Sequence, residues 1–134
     1  MTILRTEHVK KFYGREKTPA VEDLTLEIPA NTIFGYLGPN GAGKTTTIKI
    51  MTGLLRPSSG KVWLKNLEIG ENNLELRRRI GYLSQDPLYY KWMTGEELLV
   101  MVGRIFGKSR KEALIKSEQL LELAGLASAK RKRI

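Results

Sequence analysis

The sequence predicts an α/β fold of the phosphate-loop type, with β-rich segments around the loop and a helical segment after it. Three observations predict it. The stretch Gly38-Pro39-Asn40-Gly41-Ala42-Gly43-Lys44-Thr45-Thr46 fits the spacing G-x-x-x-x-G-K-[ST]. A short apolar and aromatic run, Thr32 to Leu37, precedes it and reads as a buried strand. After the loop, Ile48, Met51, Leu54 and Leu55 recur at helical spacing. Strand, glycine loop and helix form the setting the motif requires.

The residue types follow from the chemistry of an anionic ligand. Glycines let the backbone wrap closely around phosphates, because no Cβ blocks positive φ or close approach. Successive N–H groups then point inward as an anion nest, and the following helix presents its partly positive N-terminus to the same charges. In such a loop Lys44 reaches the β- and γ-phosphates, and the Thr45 hydroxyl helps to hold Mg²⁺.

The flanking elements are expected as follows. Ile3 to Val9 mixes β-branched and polar residues and reads as a strand. Phe12-Tyr13-Gly14 and a polar connection, Arg15 to Pro19, follow it. Leu24, Leu26 and Ile28 alternate with Thr25 and Glu27, the pattern of a half-buried strand. The helix after the loop is expected from about Lys44 to Leu55, stopped by Arg56-Pro57-Ser58-Ser59-Gly60. Lys61–Leu64 and Leu67–Ile69 read as short paired strands across a Lys65-Asn66 turn, Leu74–Arg79 as a short helix and Ile80–Ser84 as another short strand. Thr94 with Glu97, and Ser109 with Glu112, make two capping boxes, each opening a helix that ends at Gly107 or Gly125. The chain therefore divides into a β-rich and loop-bearing part, 1–92, and the first part of a helical subdomain, 93–134.

With 134 residues the chain can bury one modest core. It has no cysteine, which excludes disulfides, thiolate metal sites and a thiol nucleophile. Met1 to Lys11 lacks the apolar centre of a signal peptide, and every apolar run is far short of the ~20 residues that span a bilayer. A reducing cytoplasm is the expected compartment. The net charge of +9 permits anionic partners, but the basic residues are scattered apart from Arg77–Arg79 and Lys130–Arg133, and no aromatic-interleaved RNA signature accompanies them. No nucleic-acid partner is expected, and the basic tail reads as a solvated helix end.

Other nucleotide chemistries fit poorly. Gly38, Gly41 and Gly43 do not have the G-x-G-x-x-G spacing of a dinucleotide fold. Neither N-K-x-D nor D-x-x-G is present, which argues against a guanine-nucleotide switch. Hydrolysis usually needs an acidic group at the end of an apolar strand. The two aspartates, Asp23 and Asp86, both lack that apolar prelude. The lone histidine, His8, lies in the first strand and reads as a surface or packing residue.

The run Leu37–Ile48, with Gly53-Leu54 and Pro57-Ser58-Ser59-Gly60, closely resembles the ATP-binding subunit of ABC transporters. Among these it is most similar to subunits that serve separate export permeases. The resemblance implies a P-loop NTPase fold of ABC type, with a β-rich subdomain, a partial core sheet and the start of a helical subdomain. It implies ATP and Mg²⁺ as ligands, and a location on the cytoplasmic face of the membrane. Tyr13 matches the aromatic residue that stacks on adenine, the alternative being a tyrosine packed on the strand edge. Gly38, Asn40, Gly41, Ala42, Gly43, Lys44, Thr45 and Thr46 match the phosphate cradle, with Thr46 on the α-phosphate side. Gln85 matches the glutamine that senses Mg²⁺ and the attacking water, the alternative being an ordinary turn residue. Residues 85–97 fall where the family docks its permease, and Tyr89, Tyr90 and Trp92 suit an interface there, with core packing as the alternative. The family's signature motif, its catalytic acidic pair and its switch histidine are missing from these residues. The resemblance therefore implies the N-terminal half of such a subunit, binding Mg-ATP with little or no hydrolysis alone and pairing with a second nucleotide-binding domain only when full length. A non-motor remnant or regulatory ATP-binding module is the alternative.

Overall fold

A computed structural model describes residues 1–15, 17–70, 74–85, 87 and 89–134. Asp86 lies outside them, as do Glu16 and Leu88. The chain forms two compact units, Met1–Tyr82 and Leu83–Ile134.

The first unit is built on a four-stranded antiparallel sheet. Its strands are β1 (Thr2–Lys11), β2 (Val21–Pro29), β3 (Ser59–Leu64) and β4 (Leu67–Glu68), in the spatial order β2-β1-β3-β4. Alternation in the sequence set the pairing: Thr6, opposite Leu26 and Val62, is fully buried at the centre of the sheet. The register slips between Thr6 and Val9, where His8 takes a left-handed φ of 47°. His8 is thereby turned to the surface, with its Nδ1 3.0 Å from Asp23 Oδ1. The surface reading of His8 holds, and Asp23 sits on β2 paired with that imidazole.

Helix α1 (Lys44–Met51) lies on the sheet through Ile50, which packs with Val9, Val21 and Val62 in the core and with Leu24, Leu55 and Ile69 at its margin. Three threonines and two isoleucines are poor helix formers, so this packing, worth about 1.5–3 kcal/mol for the isoleucine side chain, holds the helix. Its buried face is Thr47, Ile50 and Met51, whereas Ile48 and Leu54 are exposed. The predicted stripe was therefore displaced, because a buried threonine does not register as apolar in the sequence. The helix also stops earlier than expected. The Thr52 hydroxyl donates back to the carbonyls of Ile48 and Lys49, and Gly53 turns the chain at φ 71°. Helix α2 (Leu74–Arg77) closes the unit within the range expected for it.

Two predicted strands do not form. Residues 32–37 and 80–84 carry no ladder, and Ile33, Leu37 and Leu83 are almost fully or largely exposed. An apolar run of this kind becomes a strand when neighbours pair with both its edges and cover both its faces. The sheet order gives neither segment such a neighbour among the described residues.

The second unit is a helical hairpin of α3 (Gly95–Ile105) and α4 (Arg110–Leu123). Both predicted capping boxes are present: Thr94 and Ser109 accept from the N–H of Glu97 and Glu112, whose carboxylates accept from the backbone N–H of Thr94 and Ser109 in return. Ala113 and Leu121 line the buried face of α4, together with the fully buried Ser117. After a 3₁₀ turn at Ala127–Ala129 the chain comes back to the start of α3. Arg133 pairs with Thr94, the Ile134 N–H donates to the Met93 carbonyl, and Lys130 Nζ lies 2.9 Å from Glu118. The basic tail is largely exposed, as its charge led one to expect, but it is a strap held by backbone bonds across the α3 N-terminus and not a helix end. Long-range backbone bonds of this kind leave no composition signal.

The capping boxes predict a pH response. Hydrogen bonds from Thr94 hold the Glu97 carboxyl below its ordinary value of 4.5, and those from Ser109 do the same for Glu112. A carboxyl depressed on folding contributes stability above its unfolded value, and this is lost as pH falls through the folded value. Far-UV circular dichroism should therefore show helix loss beginning below about pH 4.5. Ser109→Ala should cost about 1 kcal/mol at neutral pH and flatten that acid limb. An unchanged limb would remove the boxes from the account.

Candidate phosphate-binding site

The site is the loop between residues 38 and 46 and what packs around it in the first unit. The core places it: Ile50 fixes α1 on the sheet, so the helix N-terminus and the loop before it are held at the sheet's end. Gly43 is the N-cap of α1, at φ 75°, and a Cβ there would collide with the Ala20 carbonyl. The loop therefore lies directly against the chain entering β2, which only a glycine permits. Gly41 also has a left-handed φ of 82°, but the space around it is open. A turn closed by the Ala42 N–H on the Pro39 carbonyl, 3.2 Å, shapes the tip.

The electrostatics favour an anion. The first turn of α1 has no acidic residue, and no side chain caps its N–H groups. Those donors and the helix dipole add to the charge of Lys44. The Lys44 ammonium arches over the loop and donates to the Gly38 and Pro39 carbonyls, both at 2.6 Å. Gly38, Asn40, Gly41, Ala42 and Thr45 are exposed, and Gly43, Lys44 and Thr46 are half-buried. The residues fit a polyphosphate: backbone donors on an exposed loop, the Lys44 cation and a helix first turn without an acidic residue, although Glu22 and Asp23 line the cavity beside Gly41 and Ala42.

Tyr13 stands beside this loop. Its hydroxyl is 3.2 Å from Thr46 Oγ1, and 43% of the residue is exposed. The expected aromatic residue and the expected phosphate-side threonine are therefore brought together by the fold, although 33 residues separate them. Gln85 is exposed near the start of the second unit. No group of three His, Asp or Glu residues that could hold a metal ion occurs among the described residues. A magnesium ion here would take its ligands from phosphate, water and the Thr45 hydroxyl, the usual habit of this cation.

Two neighbours of the site escaped the sequence reading. Lys11 lies 5.6 Å from the Tyr13 ring centroid. Its i, i+2 relation to Tyr13 at a strand end was the available signal. The Ala20 carbonyl, which fits under Gly43, left none. In the second unit Tyr89, Tyr90 and Trp92 are exposed, with the Tyr90 and Trp92 rings 5.5 Å apart, while Met93 is buried. The three rings are thus not core residues. Trp92 also borders a groove of about 930 Å³ along α3 and α4.

The ABC transporter family profile matches residues 21–134, which take in the whole loop, the second unit and the first unit from β2 onward. The chain belongs to the ABC transporter family. It is 42% identical over 132 residues to YxlF, an uncharacterised ABC transporter ATP-binding protein of Bacillus subtilis, covering 98% of this chain and 42% of that protein. It is 37% identical over 125 residues to the bacitracin transport ATP-binding protein BcrA of Bacillus licheniformis, covering 93% and 39%. The chain thus spans about two fifths of the length of these curated relatives. Among solved structures, an ATP-binding subunit of an ABC transporter superposes with a TM-score of 0.79 at 26% identity, over 98% of this chain and 54% of that one. The fold is that of an ABC nucleotide-binding domain, a P-loop NTPase, and the antiparallel sheet is its β-rich part. No described helix is long and apolar enough to cross a membrane.

Proposed function

We propose that this chain is the ATP-binding part of an ABC transporter component, and that it binds Mg-ATP in the 38–46 loop. One observation carries the reading: the uncapped N-terminus of α1, the Lys44 ammonium and the Tyr13–Thr46 pair converge on one exposed loop. Each has a role there. The N–H groups of Gly41 to Thr46 bind phosphate oxygens, with Asn40 part of the same cradle. Lys44 exchanges its two loop carbonyls for β- and γ-phosphate oxygens. Thr45 holds the metal, which when bound would neutralise phosphate charge. Thr46 meets the α-phosphate, and Tyr13 stacks on adenine, a contact worth about 1–3 kcal/mol. Gln85 senses the metal and the attacking water. A membrane permease on the cytoplasmic face docks over residues 85–97, where Tyr89, Tyr90 and Trp92 stand exposed as anchors. A second nucleotide-binding domain completes the hydrolytic site. The bacitracin transport role of BcrA, with the resemblance to subunits of export permeases, makes transport of a small molecule the favoured activity of the whole transporter.

Hydrolysis by these residues alone should be slight, since in the sequence neither Asp23 nor Asp86 follows the apolar run that usually carries the acidic group. ATP with Mg²⁺ at 100 times its Kd should stabilise the chain by about 2.7 kcal/mol. Differential scanning fluorimetry checks the binding, and phosphate release checks the turnover. Steady-state turnover that disappears in Lys44→Ala would overturn the non-hydrolytic part. An unmoved melting transition at millimolar ATP would overturn the binding.

A further inference from the structure

We infer that Lys11 is a positioning residue for base binding: its anchored ammonium fixes the Tyr13 ring as the platform on which the adenine stacks. The inference rests on the nucleotide-binding reading above. Tyr13 lies just past the end of β1 and is 43% exposed, so its ring needs local restraints. The structure supplies three. The Tyr13 hydroxyl meets Thr46 Oγ1 at 3.2 Å, which fixes the tip of the side chain. The Phe12 N–H donates to Ser58 Oγ at 3.0 Å, and the Ser58 N–H donates to the Lys10 carbonyl at 2.8 Å, which fixes the backbone before the ring. Lys11 supplies the third. Its ammonium donates to the Arg56 carbonyl at 2.8 Å and stands 5.6 Å from the ring centroid, within cation–π range.

The anchor distinguishes Lys11 from an ordinary surface lysine. A free lysine samples many rotamers, whereas one bound to a carbonyl holds its charge in one place. The ammonium attracts the ring's electron-rich face and reduces the ring's rotation about the tyrosine side-chain bonds. With 43% of Tyr13 exposed, ring surface remains for a purine. A ring ordered before the ligand arrives loses less freedom on stacking, which is the physical gain. Because the restraint acts on the ring, it should matter for the base and not for the phosphates.

That distinction gives the test. ATP and inorganic tripolyphosphate, each with Mg²⁺, are titrated into the 134-residue chain and into Lys11→Met and Lys11→Arg. Methionine keeps the stem and removes the charge and the donor; arginine keeps a cation that donates to a carbonyl and stacks on a ring. Lys11→Met should weaken ATP about two- to five-fold, the scale of an exposed cation–π contact, and leave tripolyphosphate unchanged. Lys11→Arg should restore ATP binding. Equal weakening of both ligands would make Lys11 a phosphate-side charge or a fold element and overturn the inference. Unchanged ATP binding in Lys11→Met, or failure of arginine to rescue it, would overturn it as well. If wild type binds tripolyphosphate but shows no preference for ATP, the base platform itself is wrong. If wild type binds neither, the nucleotide reading fails with it.

Discussion

Lys44→Ala should lower ATP affinity about 10- to 100-fold while leaving the ligand-free melting temperature within a few degrees of wild type. The two halves of this expectation have different origins. Without ligand, the ammonium is satisfied by the Gly38 and Pro39 carbonyls, both on an exposed loop that water can also solvate. Losing those bonds costs little, because carbonyl–water bonds replace them. In the proposed complex the same ammonium would face phosphate oxygens, and a hydrogen bond to a charged partner is worth about 1.5–3 kcal/mol. Isothermal titration with ATP, together with thermal unfolding of the free chain, separates the two. A large fall in melting temperature in the free mutant would make Lys44 a structural clamp of the loop. Unchanged affinity would move the phosphates elsewhere.

Gly43→Ala should cost about 2–4 kcal/mol of stability and remove phosphate binding as well. A left-handed backbone costs an alanine about 1–2 kcal/mol. The added Cβ also runs into the Ala20 carbonyl, which is backbone and cannot rotate away. Either the loop lifts from the entry to β2 or that entry shifts, and Val21 beside it is part of the buried core. Gly41→Ala is the control. Its φ is also left-handed, at 82°, but nothing lies within 4 Å of an added Cβ. It should cost only the conformational strain. Denaturant midpoints that are equal for the two variants would show that the contact with Ala20 carries no weight.

Much of the site was legible because its chemistry is local. The spacing of Gly38, Gly43, Lys44 and Thr45 specifies a loop that wraps an anion, and the structure has glycine in left-handed geometry at 41 and 43. The capping boxes at Thr94 and Ser109 were legible for the same reason: partners three residues apart meet in any helix. Alternation over 24–28 likewise located β2.

The unread parts depend on distant partners. Residues 32–37 have the composition of a buried strand, yet Ile33 and Leu37 lie open, because a strand needs edges to pair with and this sheet offers none there. The tail 130–133 has the composition of a solvated basic end, yet backbone bonds to residues 93–96 make it a strap. Helix α1 hides a threonine in its buried face, which displaced the predicted stripe by a fraction of a turn.

By itself, then, the sequence determined the phosphate loop, the helix it opens and the caps of the later helices, since each depends on residues within a few positions of one another. Tertiary structure alone decided that Tyr13 meets Thr46, that Lys11 is tied to Arg56 beside the tyrosine ring, and that Gly43 must be glycine because Ala20 lies beneath it. These contacts join residues more than 20 positions apart, and the packing of α1 on the sheet through Ile50, with the pairing of β3 beside β1 that sets Ser59 opposite Lys10, brings them together.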